Sequence, residues 1–282
     1  MVKKVLKIVS LILMALLLLI TAGIVRSYGW PVVNTLDITN KKISSPKRFC
    51  VIGDLHSKHF STLVSQIKEQ EPDFILMAGD IFDAEDTELD STFHTVEELV
   101  NICDVYFALG NHEIKQIEKS SGFLERLEKT GVHIIEKEYF DIGDDLRIGG
   151  MYEYPFGWDK GGYNTSDSAP EDVQEYLSDF VDTDRFTVFG AHRPDNFYYG
   201  DASEVYSIDL VVSAHIHGGQ VVIPFIGGLF GGDQGWRPKY VHGYYEKNNI
   251  GWLITSGLAT SRKPLPRFNN PPEIYIVNLK PE

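Results

Sequence analysis

The sequence predicts an α/β protein, a four-layer α/β/β/α sandwich of two mixed sheets, with a transmembrane helix at its N-terminus. Three observations predict it. Strand-like apolar runs alternate with amphipathic helical stretches through the first half, a rhythm that builds a mainly parallel sheet with helices on its face. A second set of strands starts after Gly131, and its first members are separated by tight turns, so this stretch reads as antiparallel. Five short blocks of Asp, His and Asn follow strand-like runs in both halves. In open α/β sheets such residues gather beyond the carboxyl ends of the strands, which places the blocks along one edge.

The first element is the apolar run over residues 8–25, which carries no charge. As a helix it spans roughly 27 Å, close to the hydrocarbon thickness of a bilayer. Lys3, Lys4 and Lys7 precede it and Arg26 alone follows closely, which keeps the N-terminus cytoplasmic and puts the rest of the chain outside. A cleaved signal peptide is the alternative, but its apolar region is ordinarily shorter and no Ala-x-Ala site follows. The expected organisation is an anchor over 1–26, a linker with an edge strand near 32–38 within 27–47, and one domain over 48–282.

Within that domain, strands are expected at 49–52, 74–78 and 104–109. Helices are expected at 62–70, at 91–101 with Ser91 as N-cap, and at 122–129, ended by Gly131. Short strands at 132–135, 139–142 and 146–151 form the antiparallel stretch, with Gly143 in a turn. Further strands are read at 186–189, 208–212, 220–223, 252–255 and 274–279.

Composition narrows the function. With 43% hydrophobic and 23% charged residues the chain is globular, and a formal net charge of −14 argues against a nucleic-acid partner. Cys50 and Cys103 each sit in an apolar run and read as small strand residues, without a partner that would make a nucleophile or a zinc-thiolate site.

The blocks carry the chemistry. Asp54 and His56 stand two apart after a strand, so both can turn onto one metal. Asp80 has two oxygens with which to bridge two metals, Asn111 offers an amide oxygen, and His192, His215 and His217 supply imidazole nitrogens. This nitrogen/oxygen set without thiolate suits manganese, iron, zinc or cobalt rather than calcium. Two divalent ions against two carboxylates leave net positive charge even with a hydroxide between them. An acidic protein can thereby hold an anionic phosphate.

The order Asp-x-His, Gly-Asp-x-x-Asp, Gly-Asn-His-Glu, a lone His and then His-x-His resembles the calcineurin-like metallophosphoesterases across residues 48–280. The resemblance implies two divalent metal ions. Asp54, His56 and His217 would bind the first, Asn111, His192 and His215 the second, and Asp80 both. It implies that His112 contacts phosphate or protonates the leaving group, with Asp83 orienting it. His-Gly-Gly-Gln ending at Gln220, the anchor and the Pro-Pro-Glu-Ile block (271–274) further resemble a bacterial membrane-associated phosphodiesterase group. Some members of that group cleave the pyrophosphate of a UDP-2,3-diacylglucosamine. The expected activity is therefore hydrolysis of a phosphodiester or pyrophosphate, in a small-molecule or lipid-linked substrate. A phosphomonoesterase or protein phosphatase, or a metal-containing binding protein without turnover, are the alternatives. Ala214 departs from the Gly common in the family before His-x-His.

Other residues read blandly. His59, His94, His133 and His242 are taken as surface or structural, and Arg193, Arg262 and Arg267 have no assigned role. The loop 224–236, rich in glycine and aromatics, is expected to fold over its own sheet, with contact to an acyl chain or bilayer as the alternative. The aromatic segment 152–163 is a candidate substrate rim.

Overall fold

Period-two alternation in the apolar runs divides each strand between two cores. In a computed structural model that describes residues 2–152, 158–159, 162–163, 169–194, 201–260 and 265–282, Phe49 and Val51 face one core while Cys50 and Ile52 face another. The chain begins with α1 (Val2–Tyr28), β1 (Val32–Thr39), β2 (Lys47–Ile52), α2 (Leu63–Glu69), β3 (Phe74–Met77), α3 (Asp90–Val100) and β4 (Asp104–Phe107). There follow α4 (Asn111–Lys119), α5 (Gly122–Lys129), β5 (His133–Ile134), β6 (Glu138–Ile142), β7 (Leu146–Gly150), β8 (Trp158–Asp159) and β9 (Gly162–Tyr163). The remainder is α6 (Glu171–Val181), β10 (Phe186–Gly190), α7 (Ala202–Val205), β11 (Leu210–Ser213), β12 (Val222–Ile223), β13 (Gly227–Gly228), β14 (Gly243–Lys247), β15 (Ile250–Ile254) and β16 (Glu273–Lys280).

Two six-stranded mixed sheets result, ordered β1-β16-β2-β3-β4-β5 and β14-β15-β11-β10-β7-β6. Val51, Leu76 and Tyr106 of the first meet Ile148, Val188, Val212 and Leu253 of the second in the central core. Outside the first sheet, Ile67 of α2, Phe93, Val96 and Leu99 of α3, and Phe123 and Leu127 of α5 cover Ile52, Ile75 and Met77. Outside the second, Val173, Leu177 and Phe180 of α6 cover Phe189, Val211 and Trp252. The expected four layers are present. Each large apolar side chain sealed between them contributes about 1.5–3 kcal/mol relative to exposure.

Several expectations change in detail. The strand at 132–135 does not open the antiparallel stretch: β5 joins the first sheet parallel to β4, because α5 is a crossover that returns the chain to the same direction. The antiparallel pair is β6 with β7. At 220–223, Val222 and Ile223 form a small hairpin with Gly227 and Gly228 and Val221 makes a lone bridge to Phe268, since Gln220 at φ 57° cannot continue a strand. Ser91 is not the cap of α3, which starts at Asp90 after Leu89, with the Asp90 carboxylate at the positive end of the helix. Three helices went unread: α4, the short α7, and α6, whose Val173, Leu177 and Phe180 recur at i, i+4 and i+7. Phe225, Ile226 and Trp236 are exposed while Leu229 and Phe230 are half-buried, so only part of the 224–236 loop's apolar surface is covered. The hairpin of β12 and β13 carries Phe225 and Ile226 outward at its tip. Both cysteines are free. Arg262 and most of the aromatic segment 152–163 lie outside the described residues.

Candidate metal centre

Four buried strands end in the loops that carry the candidate ligands: β2 before Asp54, β3 before Asp80, β10 before His192 and β11 before His215. The loops are tied to each other by backbone bonds. Asp54 N–H donates to Gly79 O (2.9 Å), His56 N–H to Asp80 O (3.0 Å) and Ala214 N–H to His192 O (3.0 Å). Asp54, His56, Asp80, His215 and His217 all adopt positive φ. A non-glycine residue there is strained, and such strain persists only where surrounding structure over-determines it, typically at functional sites.

The residues converge as three groups whose ligand atoms lie within 4.8 Å of one another: Asp54, His56 and His217; His56, Asp83 and His112; Asp80, His192 and His215. Asp80 Oδ2 stands between them, 3.2 Å from His192 Nε2 and 3.9 Å from both His56 Nε2 and His112 Nε2. His217 Nδ1 is 3.3 Å from Asp54 Oδ2, and His215 Nδ1 is 3.2 Å from His192 Nε2. Asn111 opens α4 beside His112, and its Oδ1 is buried with no hydrogen-bond partner among the described residues. An orphaned amide oxygen, clustered imidazoles and two carboxylates fit divalent cations of the nitrogen/oxygen-preferring kind.

Electrostatics point the same way. Burial pushes Asp80 up, but His192, His56 and His112 outweigh it and hold the carboxylate well below its usual range. Burial lowers His192, yet Asp80 and Asp54 raise it to about 9. The pocket therefore draws positive charge onto its own imidazoles, the demand a bound cation would meet.

His112 is set differently. Its Nδ1 accepts the Ala84 N–H at 2.8 Å, while Asp83 Oδ1 is 3.5 Å away. When the ring is neutral, that donor leaves its proton on Nε2. Asp83 faces the same nitrogen of His112, the place a carboxylate that orients the ring would take. Burial lowers the His112 pKa, but Asp83 and Asp80 more than reverse this and it lies above its ordinary value. Asp83, raised by burial but lowered more by His112 and the Glu85 N–H, is held at about 2.

Sequence reasoning gave no role to three residues that build this geometry. Glu113 is fully buried, and its carboxylate accepts N–H groups from Asp80, Phe82 and Gly110, each at 2.8 Å. Burial and Asp80 push it up to about 7 against those donors. Arg267 is 3% exposed, and its guanidinium donates to the carbonyls of Gly257, Ala259, Asn270 and Pro271. Asn270 Nδ2 donates to His217 O (2.7 Å) and Gln220 O (3.2 Å). The position of Glu113 in Gly-Asn-His-Glu was a visible signal; Arg267 and Asn270 had none. Ala214 is accommodated because residue 53 is glycine: a Cβ there would lie 2.9 Å from the Ala214 methyl.

A family model described as calcineurin-like phosphoesterase matches residues 47–219. The chain is similar to an uncharacterized metallophosphoesterase of Campylobacter jejuni, 28% identical over 96% of this chain and 69% of the relative. It is also 28% identical to an uncharacterized metallophosphoesterase of Aquifex aeolicus, over 77% of each chain. Among solved structures, a dimetal phosphatase from Danio rerio aligns with a TM-score of 0.44 and 11% identity, over 74% of this chain and 86% of that one.

Proposed function

The chain belongs to the calcineurin-like phosphoesterase family, and from that premise we propose a membrane-anchored, dimetal phosphohydrolase that cleaves a phosphodiester or pyrophosphate bond. The observation that carries the reading is the convergence of two His/carboxylate groups about Asp80, with the orphaned amide oxygen of Asn111. In this reading Asp54, His56 and His217 hold one divalent ion, and Asn111, His192 and His215 hold the other. Asp80 is shared. Bound there, the ions would supply a nucleophile at neutral pH and positive charge for the phosphoryl oxygens.

The protein's own residues do the rest. His192 Nδ1 donates to Ala78 O at 2.7 Å, which orients the ring so that Nε2 faces Asp80 and, once deprotonated, would be the nitrogen that binds a metal. Protonated on both nitrogens, His112 gives the Nε2 proton, on the side facing the cluster, to the leaving oxygen and returns to the neutral ring whose Nδ1 accepts the Ala84 N–H. Asp83 and Asp80 favour the protonated ring that this step needs.

An amphiphilic substrate is supported by location. α1 is a 27-residue helix long and apolar enough to cross a membrane, and Lys3, Lys4 and Lys7 before its apolar run favour an extracytoplasmic domain. A cavity of about 410 Å³ lies where α1 ends, lined by Tyr28, Phe60, Leu258, Leu265 and Pro272, with Lys58 in its wall. Ala259, also in that wall, has its carbonyl oxygen 3.2 Å from His217 Nδ1.

The test is hydrolysis by the full-length protein in detergent, with manganese or a chelator, of a nitrophenyl phosphodiester and the matching monoester. Manganese-dependent turnover favouring the diester is expected. Preference for the monoester would replace this reading with a phosphomonoesterase, and no turnover with any divalent metal would leave a binding protein.

A further inference from the structure

α1 is exposed along its length except at Gly23 and Ser27. Those two residues are where the helix meets the domain. The Phe268 ring lies over Gly23 so closely that a Cβ would stand 2.5 Å from its Cζ. Gly23 O accepts the Asn269 N–H at 3.1 Å, and Arg26 Nη1 donates to Asn269 Oδ1 at 3.3 Å. Ser27 Oγ donates to Gly23 O at 2.8 Å and accepts the Asn270 N–H at 3.1 Å.

The segment so gripped is the one that holds the last ligand loop. Asn270 Nδ2 donates to His217 O and Gln220 O, Phe268 N–H donates to Gln220 O at 3.0 Å, and Val222 N–H donates back to Phe268 O at 2.9 Å. Arg267 pins the same segment to Ala259, whose carbonyl faces His217 Nδ1. Two hydrogen bonds in series, through Asn270 alone, connect Ser27 of the apolar helix to the backbone of His217.

We propose that the last turn of α1 is a positioning element of the metal centre, and that Gly23 and Ser27 hold the 268–270 segment where it fixes His217. A helix that served only as a tether would need no such contact. A leader removed during export would leave Phe268 and the Asn270 N–H without their partners, so the geometry also requires that α1 stay attached. The effect on metal rests on the reading of His217 as a ligand; the mechanical link does not.

The experiment uses the full chain in lipid nanodiscs, with Mn²⁺ titrated and followed by electron paramagnetic resonance. Gly23→Ala and Ser27→Ala are each expected to weaken one of two Mn²⁺ affinities by roughly tenfold or more, the scale of a lost outer-shell support, and to spare the other. Phe268→Leu in the Gly23→Ala background should restore it by making room, and Leu18→Ala, on the exposed face of the same helix, should change neither. In a His217→Ala background, Gly23→Ala should have no further effect, because the two act on one site. Unchanged affinities in both helix variants, an equal loss at both sites, or an effect that persists without His217 would each overturn the proposal.

Hydrogen exchange in metal-free protein reads the link separately. Faster exchange at the Gln220 and Val222 amides in Ser27→Ala is expected, and unchanged protection there overturns the link. Absence of Mn²⁺ binding by the wild type would instead overturn the metal reading, with exchange still deciding the mechanical one.

Discussion

His192 Nδ1 sits 2.7 Å from the carbonyl oxygen of Ala78, the last residue before the Gly79-Asp80 turn. A carbonyl can only accept, so the imidazole must donate there and present its other nitrogen, 3.2 Å from Asp80 Oδ2. One proposed ligand is thus aimed by the segment that delivers another. His192→Ala is expected to lower bound manganese from two equivalents to about one and turnover by on the order of 100-fold. Elemental analysis beside a diester assay checks both, and full metal content in the variant would remove His192 from the centre.

Glu113 gathers the Asp80 and Gly110 turns by accepting three buried N–H groups. Truncation to Ala strands all three, at about 1–3 kcal/mol each before relaxation. Glu113→Ala should therefore unfold at markedly lower denaturant, whereas Glu113→Gln, which keeps one acceptor oxygen, should lose less. Equal midpoints for the two variants would deny that the acceptor matters.

Gly79 has φ +87°, and a Cβ there would lie 2.6 Å from His192 Nδ1 and 2.9 Å from Gly110 Cα. Gly79→Ala is expected to cost about 1–3 kcal/mol of stability from the left-handed backbone and to weaken metal binding as the ring is displaced. Thermal melting and a manganese titration should move together.

Asp145 ties the turn before β7 to the segment between β1 and β2. It accepts Ser44 N–H at 2.8 Å and Ser44 Oγ–H at 2.5 Å, and it pairs with Lys47 at 3.0 Å. Burial pushes its carboxyl up, but Ser44 and Lys47 prevail and hold it at about 2, below the unfolded value of 3.8. A carboxyl with a depressed folded pKa stabilises fully above its unfolded pKa, and that contribution fades as pH falls through the folded one. Asp145→Asn should be less stable than wild type by about 1–3 kcal/mol at neutral pH. The gap should close between pH 3.8 and about 2 in urea titrations. A gap independent of pH would mean the charge is irrelevant.

Phe225, Ile226 and Trp236 are exposed. If the substrate is presented at a bilayer, replacing Phe225 and Trp236 with Asp should slow hydrolysis of a vesicle-embedded phosphodiester while sparing a water-soluble one. Equal effects on both would point to a fault in the site itself.

What could be read in advance follows from how each residue is held. Asp54, Asp80 and the three late histidines belong to residue types with few reasons to sit just past a buried strand, so their convergence was legible. The layers were legible too, because alternation such as Val51 against Cys50 and Ile52 assigns faces without knowing partners. Arg267 and Asn270 were not, since their partners are carbonyl groups, which every residue carries and no pattern distinguishes. The parallel placement of β5 depended on which sheet a two-residue strand would join, and His133 and Ile134 carry too little pattern to decide that.

β16 lies between β1 and β2, pairing parallel with the first from Val32–Glu273 to Thr39–Lys280 and antiparallel with the second. During synthesis, β1 and β2 therefore emerge with a gap between them that more than two hundred further residues must be made to fill. Such long-range closure is slow. Until the ribosome delivers Glu273, the strand that leads into Asp54 has one raw edge, a window in which a nascent chain would need a chaperone or rapid translation to avoid mispairing.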